Sequence, residues 1–481
     1  MHRHRVLLRA VALAVAFAAA AACGSDSNDE SAATASSAAA SSAPAGAAGS
    51  DDPASWGVKD KKLVGPSGFG IDLSKCPAKW DDKAGLTDTE IRLGQTIAQS
   101  GAAASYGGVA LGMKAYFDNV NATEGGIGGR KINFTYKDDG YEAARGKANV
   151  DEMLETANLF AFTGVLGTPI NLATYDKIDE SCLPDISVGS AHPAFGDPVN
   201  HPWVVPVPAN SYTTEGILWG QYVLDKYGKG ATVAALVANN DFGLANKDAF
   251  EKFAKDNGLT VKFELHDPQA ASVTNELTNL ASSNSQVVIL MTLANFCTMG
   301  FQYLSQSSWK PAERIVSQTC NTVTYFKPAG QAADGWVSIS DRYDTADAQD
   351  QNVPFVKSAR ETIAKAGLDA NNSLIGQGYG LYAWPVVDTL KRAALLPGGL
   401  TRTNVMLAAR KVKSANPFSR EGISYEMDGA KDAFPIEGGA TVRYTLEAGK
   451  DVGTQVPFGK VIDLNGKTPN CAWDGKRCAA N

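Results

Sequence analysis

The chain is 481 residues long and carries 51 acidic against 44 basic side chains, a formal charge of −7 at pH 7. That balance argues against nucleic acid as a partner and against docking to anionic lipid through basic patches. With 44% hydrophobic residues and about 425 residues beyond a low-complexity start, there is material for two ordinary cores.

Arg3, Arg5 and Arg9 precede an uncharged run from Ala10 to Ala22. The run is short for a membrane span but has the length of a signal-peptide core, so residues 1–22 are expected to be a leader. Ala20-Ala21-Ala22-Cys23-Gly24 resembles a lipobox, in which the cysteine is lipidated and becomes the first mature residue. That implies an exported lipoprotein held at the outer face of the cytoplasmic membrane. Ala20 stands where the usual leucine would, and ordinary secretion with an unpaired Cys23 is the competing reading. Residues 23–56 are nearly all Ser, Ala, Gly, Asp and Pro, too poor in apolar surface to offset ordering entropy, and read as a tether. No later segment reaches the roughly 18 apolar residues of a transmembrane helix.

After an N-terminal extension (57–87), Ile91 to Ile97 predicts a strand and Ser100 to Gly108 a turn of small residues. Val109, Met113, Tyr116 and Val120 recur at spacings of four, three and four, the stripe of an amphipathic helix. Gly125 to Gly129 stop it, and a second strand follows, completing a βαβ unit. Such a turn lies at the carboxyl end of a strand beside a helix N-terminus, where open α/β sheets bind ligands.

The alternation continues. A helix containing Val150, Met153 and Leu154 precedes a strand at Leu159 to Leu166. A helix from about Asn171 and a strand at Pro184 to Val188 follow. Next come a helix around Ile217 to Leu224, a strand at Ala231 to Val237, a helix at Leu244 to Asn257 and a strand at Leu259 to Leu265. A helix at Val273 to Ala281, a strand at Gln286 to Met291, a helix with Tyr303 and a strand at Arg314 to Ser317 complete the run, and a later helix begins near Leu381. Short apolar runs alternating with helices predict α/β architecture with parallel sheets.

Enzyme signatures are missing. The histidines His2, His4, His192, His201 and His266 form no HExxH spacing, and no serine lies in GxSxG. Gly466-Lys467-Thr468 has Val461 where a phosphate loop needs glycine, and Gly126 to Gly129 follow a helix and not a strand. No cofactor is expected.

Six cysteines besides Cys23 favour disulfides in an exported chain. Of fifteen connectivities, the most economical joins Cys471 with Cys478, Cys297 with Cys320, and by elimination Cys76 with Cys182. A zinc site competes, without a CxxC or a nearby histidine pair to support it.

SGAAASYGG at 100–108, followed by a helix and EGGIGGRKINFTYKDD at 124–139, resembles the opening of the branched-chain amino-acid binding proteins, the type I periplasmic solute receptors. The likeness runs from about residue 88 nearly to the end. It implies two doubly wound parallel-sheet lobes joined by three crossings, near Pro206 to Asn210, Ser338 to Arg342 and Ser424 to Pro435. Lobe 1 would then hold 88–208 and 340–425, lobe 2 would hold 209–339 and 426–465, and 466–481 would be a disulfide-closed tail. Function follows by the same resemblance: a monomer captures a small polar ligand (amino acid, amide or small carboxylate) between the lobes and delivers it to the permease and ATPase of an ABC importer. A sensory receptor of the same fold, or an exported hydrolase, are the rivals.

Carried over residue by residue, the resemblance places Ser100 and Tyr106 in the first turn. Gly167 and the hydroxyl of Thr168 would form a carboxylate site, with a cap role for Thr168 compatible. Gly189, Ser190 and Ala191 make the next contact. In lobe 2, Phe242 closes the cleft and Asp241 either binds or caps a helix; Asn295 follows the Gln286 to Met291 strand. Where the amino-acid receptors place a glutamate for the ligand's ammonium, this chain has Gln318 and Thr319, which favours an uncharged-headed acid or an amide unless Asp241 takes over. Gln377 and Tyr379 precede a helix at the cleft mouth, while Tyr382 and Trp384 are expected in the core.

Overall fold

Two parallel sheets flanked by helices account for the alternating pattern. The computed structural model describes residues 52–475 together with 478 and 479; the leader, Cys23 and the tether as far as residue 51 lie outside them. The first sheet has the order Lys131–Asp138, Glu90–Ile97, Ala161–Thr163, Asp185–Val188, Val204–Pro206, all parallel. The second runs Thr260–His266, Thr232–Ala238, Val287–Met291, Glu313–Val316, Val337–Ser340, with Gly438–Thr445 and Thr454–Asp463 added antiparallel. In each sheet the strand order reverses beside an early strand, and the carboxyl ends there leave a crevice. Val233 to Ala238 and Val287 to Met291 are buried on both faces, which is why they read as continuous apolar runs. This is the two-lobed α/β architecture that the sequence implies.

The first turn tightens into a 3-10 segment, Gly101–Tyr106, which leads into helix Gly107–Thr123. That helix buries Val109, Met113 and Val120 against the sheet. Its other side meets helix Ser373–Gln377 at backbone distance: a Cβ on Gly112 would lie 1.9 Å from the Ile375 carbonyl oxygen, and one on Gly378 2.0 Å from that of Val109. Glycine is required at both positions by close approach, not by turn geometry. Gln377 and Tyr379 therefore do not precede a helix. They sit within one, since Ser373–Gln377 continues through a π turn, Gly378–Ala383, into Trp384–Ala394.

One buried asparagine touches all three passages between the sheets. Asn210 donates from its backbone N–H to Asp341 Oδ2 at 3.0 Å, and its Nδ2 donates to the Gly438 carbonyl at 2.8 Å. Before the third passage, Tyr425–Asp428 pairs with Lys411–Ser414 in a separate ribbon, and the second sheet resumes at Gly438. The N-terminal extension is an antiparallel sheet of Gly57–Lys59, Lys62–Val64 and Gly70–Asp72. Disulfides join Cys76 to Cys182, Cys297 to Cys320 and Cys471 to Cys478, with Cα separations of 5.5, 5.5 and 4.9 Å. Among the described residues no helix is long and apolar enough to cross a membrane.

Candidate ligand cleft

Strand ends of both lobes face a cavity with about 620 Å³ of empty space, part of it the open mouth. On the first lobe, the chain leaves Ala161–Thr163 and enters helix Thr168–Glu180 through Gly167, whose φ of 115° suits only glycine. Gly167 occupies the cap position, so no side chain caps this helix; Thr168 is its first residue and not its cap. The Thr168 hydroxyl instead faces the cavity, 2.7 Å from Ser190 Oγ and 3.5 Å from the Tyr212 hydroxyl. Gly189, Ser190 and Ala191 line the same wall. A helix N-terminus with two buried hydroxyls is an arrangement that suits an anion.

Aromatic rings floor the cavity. Tyr106 stacks on Tyr141 at 6.3 Å, and Tyr212 meets Phe242 edge-on at 5.3 Å; all four line the space. Burial first, and neighbouring tyrosines second, push the Tyr106 and Tyr141 hydroxyls well above the usual phenol range. Both are therefore neutral.

The opposite wall holds Gln318, Thr319 and Arg342. Gln318 donates from its backbone N–H to Glu215 Oε1 at 2.6 Å and from Nε2 to the Asn210 carbonyl at 2.8 Å, while its Oε1 accepts from Arg342 Nη2 at 2.7 Å. Thr319 spends its hydroxyl on the Thr292 carbonyl at 2.8 Å. Both residues thus line the cavity with their polar groups already bonded, and Gln318 serves to hold Arg342. Burial works against the Arg342 charge, but the adjacent Asp341 carboxylate outweighs it and the guanidinium is held above its ordinary value. Asp341 occupies Nε and Nη2; among the described residues nothing bonds Nη1. Behind this wall, burial lifts the Glu215 carboxyl to about 8, against the bonds it accepts from Gln318.

Four expected residues lie elsewhere. Ser100 donates to Asp138 Oδ2 at 2.6 Å, drawn aside by a carboxylate that also organises the Gln99 and Gly140 amides. Asp241 faces a different space, beside Asp176, Asp248 and Trp473; Asn240 is the cap of its helix, accepting from the Gly243 N–H at 3.1 Å. Asn295 is exposed at the start of helix Asn295–Gln306, and Leu293 lines the cavity in its place. Tyr379 turns away from the cavity into a separate buried cluster, where it packs on Tyr116 at 4.6 Å. Tyr382, expected in the core, lines the cavity with Leu374, Gln377 and Leu381.

Sequence reasoning missed Arg342, Tyr141 and Tyr212. Arg342 stood inside an expected crossing, and a lone cation at a hinge was the available signal. Leu374, Gln377 and Leu381 follow a helical spacing that the surrounding glycines disguised. Among the described residues, no carboxylate side chain lines the cavity.

A crevice bounded by the strand ends of two doubly wound lobes, with a hinge of three passages, is the plan of a solute receptor. The sequence profile of the periplasmic binding protein family matches residues 90–444. The chain belongs to that family. Among solved structures, this periplasmic binding protein is similar to a branched chain amino acid ABC transporter protein from Thermus thermophilus with bound valine. That pair shares 19% identity over 78% of this chain and 98% of the other, with a TM-score of 0.68. A fatty acid ABC transporter substrate-binding protein from Thermomonospora curvata matches at 19% identity over 79% and 95%, TM-score 0.66. A solute binding protein from R. palustris in complex with 4-hydroxybenzoate matches at 16% over 78% and 97%, TM-score 0.64. At such identities the likeness is one of fold, and the ligand must be argued from the site. No curated protein matches the chain at a significant level.

Proposed function

We propose that this periplasmic binding protein captures a small monocarboxylate with an uncharged, largely apolar or aromatic body and delivers it to an ABC importer. The observation that carries the reading is the polarity of the walls. An uncapped helix N-terminus with the Thr168 and Ser190 hydroxyls suits a carboxylate. Tyr106, Tyr141, Phe242 and Tyr382 suit a flat or aliphatic body. Arg342 Nη1 suits an acceptor at its far end. With Asp241 turned away, an ammonium finds no anionic partner, and burying it unpaired is costly. Relatives of this fold are described with a fatty acid, with 4-hydroxybenzoate and with valine, so the fold takes acids with and without an amino group and the walls must decide.

The ligand acts by bridging both lobes and so shifting the open–closed equilibrium. Ser105 Oγ already meets the Tyr325 hydroxyl across the cleft at 3.0 Å, and Thr324 meets Asn372 at 3.3 Å. The lipid anchor at Cys23 belongs to the proposal: it fixes the receptor beside its permease, and Cys23→Ser should release the protein from membranes.

Thermal shift with benzoate, 4-hydroxybenzoate, octanoate and valine tests the ligand class. A ligand at one hundred times its dissociation constant should add about 2.7 kcal/mol. At least one amino-free acid should stabilise the protein and valine should not, with Arg342→Gln and Thr168→Val each reducing the effect. Stabilisation by valine alone would overturn the reading.

A further inference from the structure

After Thr454–Asp463, the last strand of the second sheet, the chain does not stop at the second lobe. The Leu464 N–H donates to the Glu437 carbonyl at 2.8 Å and the Thr468 N–H to Glu437 Oε1 at 2.8 Å, while Thr468 Oγ1 lies 2.9 Å from Thr214 Oγ1 on the second lobe's helix Tyr212–Tyr227. Three residues on, the partners change lobe. The Cys471 N–H donates to the Gly196 carbonyl at 3.0 Å, and the Trp473 N–H donates to Asp197 Oδ2 at 3.1 Å. The Trp473 ring then stands edge-on to His192 at 5.0 Å. The segment is a fourth link between the lobes, closed at its end by the Cys471–Cys478 disulfide.

His192 connects this link to the cleft. Burial lowers its imidazole to about 4, so the ring is neutral at physiological pH. Its Nδ1 accepts from the Ala194 N–H at 3.2 Å, which leaves the proton on Nε2. The His192 backbone N–H donates to Ser190 Oγ at 3.2 Å, and Ser190 Oγ is 2.7 Å from Thr168 Oγ1. The ring is therefore clamped between Trp473 and a tight turn whose backbone orients the hydroxyl pair.

We propose that the C-terminal disulfide loop is an interlobe clasp in which Trp473 is a positioning residue for the Ser190 and Thr168 hydroxyls, acting through His192. This rests on the reading of those hydroxyls as the ligand's anion site. Seating of the loop fixes the Gly189 to His192 backbone, and the same loop limits how far the lobes part. Ligand affinity and lobe opening are then coupled through one side chain outside the cleft.

The test uses the full chain with Trp473→Ala, Trp473→Phe and the paired Cys471→Ser/Cys478→Ser change. Hydrogen exchange is read across residues 188–195 without ligand, and binding is read with benzoate as the probe. Trp473→Ala and the paired change should speed exchange at 189–194 about tenfold, with the Thr232–Ala238 strand unchanged. They should weaken benzoate binding about fivefold, and Trp473→Phe, which keeps an aromatic edge, should restore both. Faster exchange confined to the tail, or a uniform rise across the first lobe with the same loss in Trp473→Phe, overturns the proposal. If benzoate fails to bind even the unaltered protein, the carboxylate reading of the cleft falls, while the exchange result still decides the clasp.

Discussion

Asp185 opens strand Asp185–Val188 with its side chain buried and Oδ1 without a hydrogen-bond partner. Burial alone raises its carboxyl from 3.8 to about 8. The native protein thus holds a proton between about pH 4 and 8 that the unfolded chain has released, and stability falls as pH rises through that window. Asp185→Asn removes the titration. It should be more stabilising at pH 8 than at pH 5 by more than about 1 kcal/mol, read by urea unfolding at the two values. An unchanged difference between the two pH values would mean that the carboxyl ionises in place. Asp185 was invisible in the sequence because its burial depends on strand order, whereas Thr168 and Ser190 were reached through the likeness of their turns to those of the family. Arg342 lies between these cases: its position in a crossing was visible, but its direction is set by Asp341 and Gln318, which only the folded hinge brings together.

At the scale of elements, local pattern and close packing pulled in different directions. The stripe Val109, Met113 and Val120 sufficed to place helix Gly107–Thr123, because its period is a property of neighbours in sequence. The stretch from Ser373 to Ala383 defeated the same logic. Gly376, Gly378 and Gly380 read as loop, yet each packs against a distant atom: Thr345, the Val109 carbonyl and Phe418. Helix propensity gives the wrong sign here for a single change. In an exposed helix Gly112→Ala would gain about 1 kcal/mol, but its new Cβ would lie 1.9 Å from the Ile375 carbonyl oxygen. Overpacking against backbone should prevail, for a net loss of about 1–3 kcal/mol. Since helix Ser373–Gln377 carries Leu374 and Gln377 into the cleft, weaker ligand binding should accompany the loss. Denaturant midpoints and probe titration of the same variant check both; a stabilised variant would show that the helices separate freely.

For the molecule as a whole, the N-terminal extension shows how a covalent link and ordinary packing share one task. Cys76 and Cys182 are 106 positions apart, and cross-linking a loop of that length removes about 4–5 kcal/mol of unfolded-state entropy in the chain-entropy model. The native contacts of the extension do not depend on the sulfurs alone. Trp80 Nε1 donates to the Cys182 carbonyl at 2.7 Å and its ring meets Trp203 at 5.8 Å. Asp82 accepts at both oxygens from Thr403, at 2.8 and 2.7 Å, and its carbonyl accepts from the Arg402 N–H at 2.8 Å. The extension should therefore stay docked when the bond is removed. Cys76→Ser/Cys182→Ser is expected to lower the unfolding free energy by about 2–4 kcal/mol, chiefly by freeing the unfolded chain. Because the cleft residues belong to other elements, affinity for a probe that binds the unaltered protein should change less than about twofold. A large loss of affinity in this pair, together with proteolytic release of residues 57–87, would show instead that the disulfide holds the extension in place and that the extension in turn shapes the first lobe.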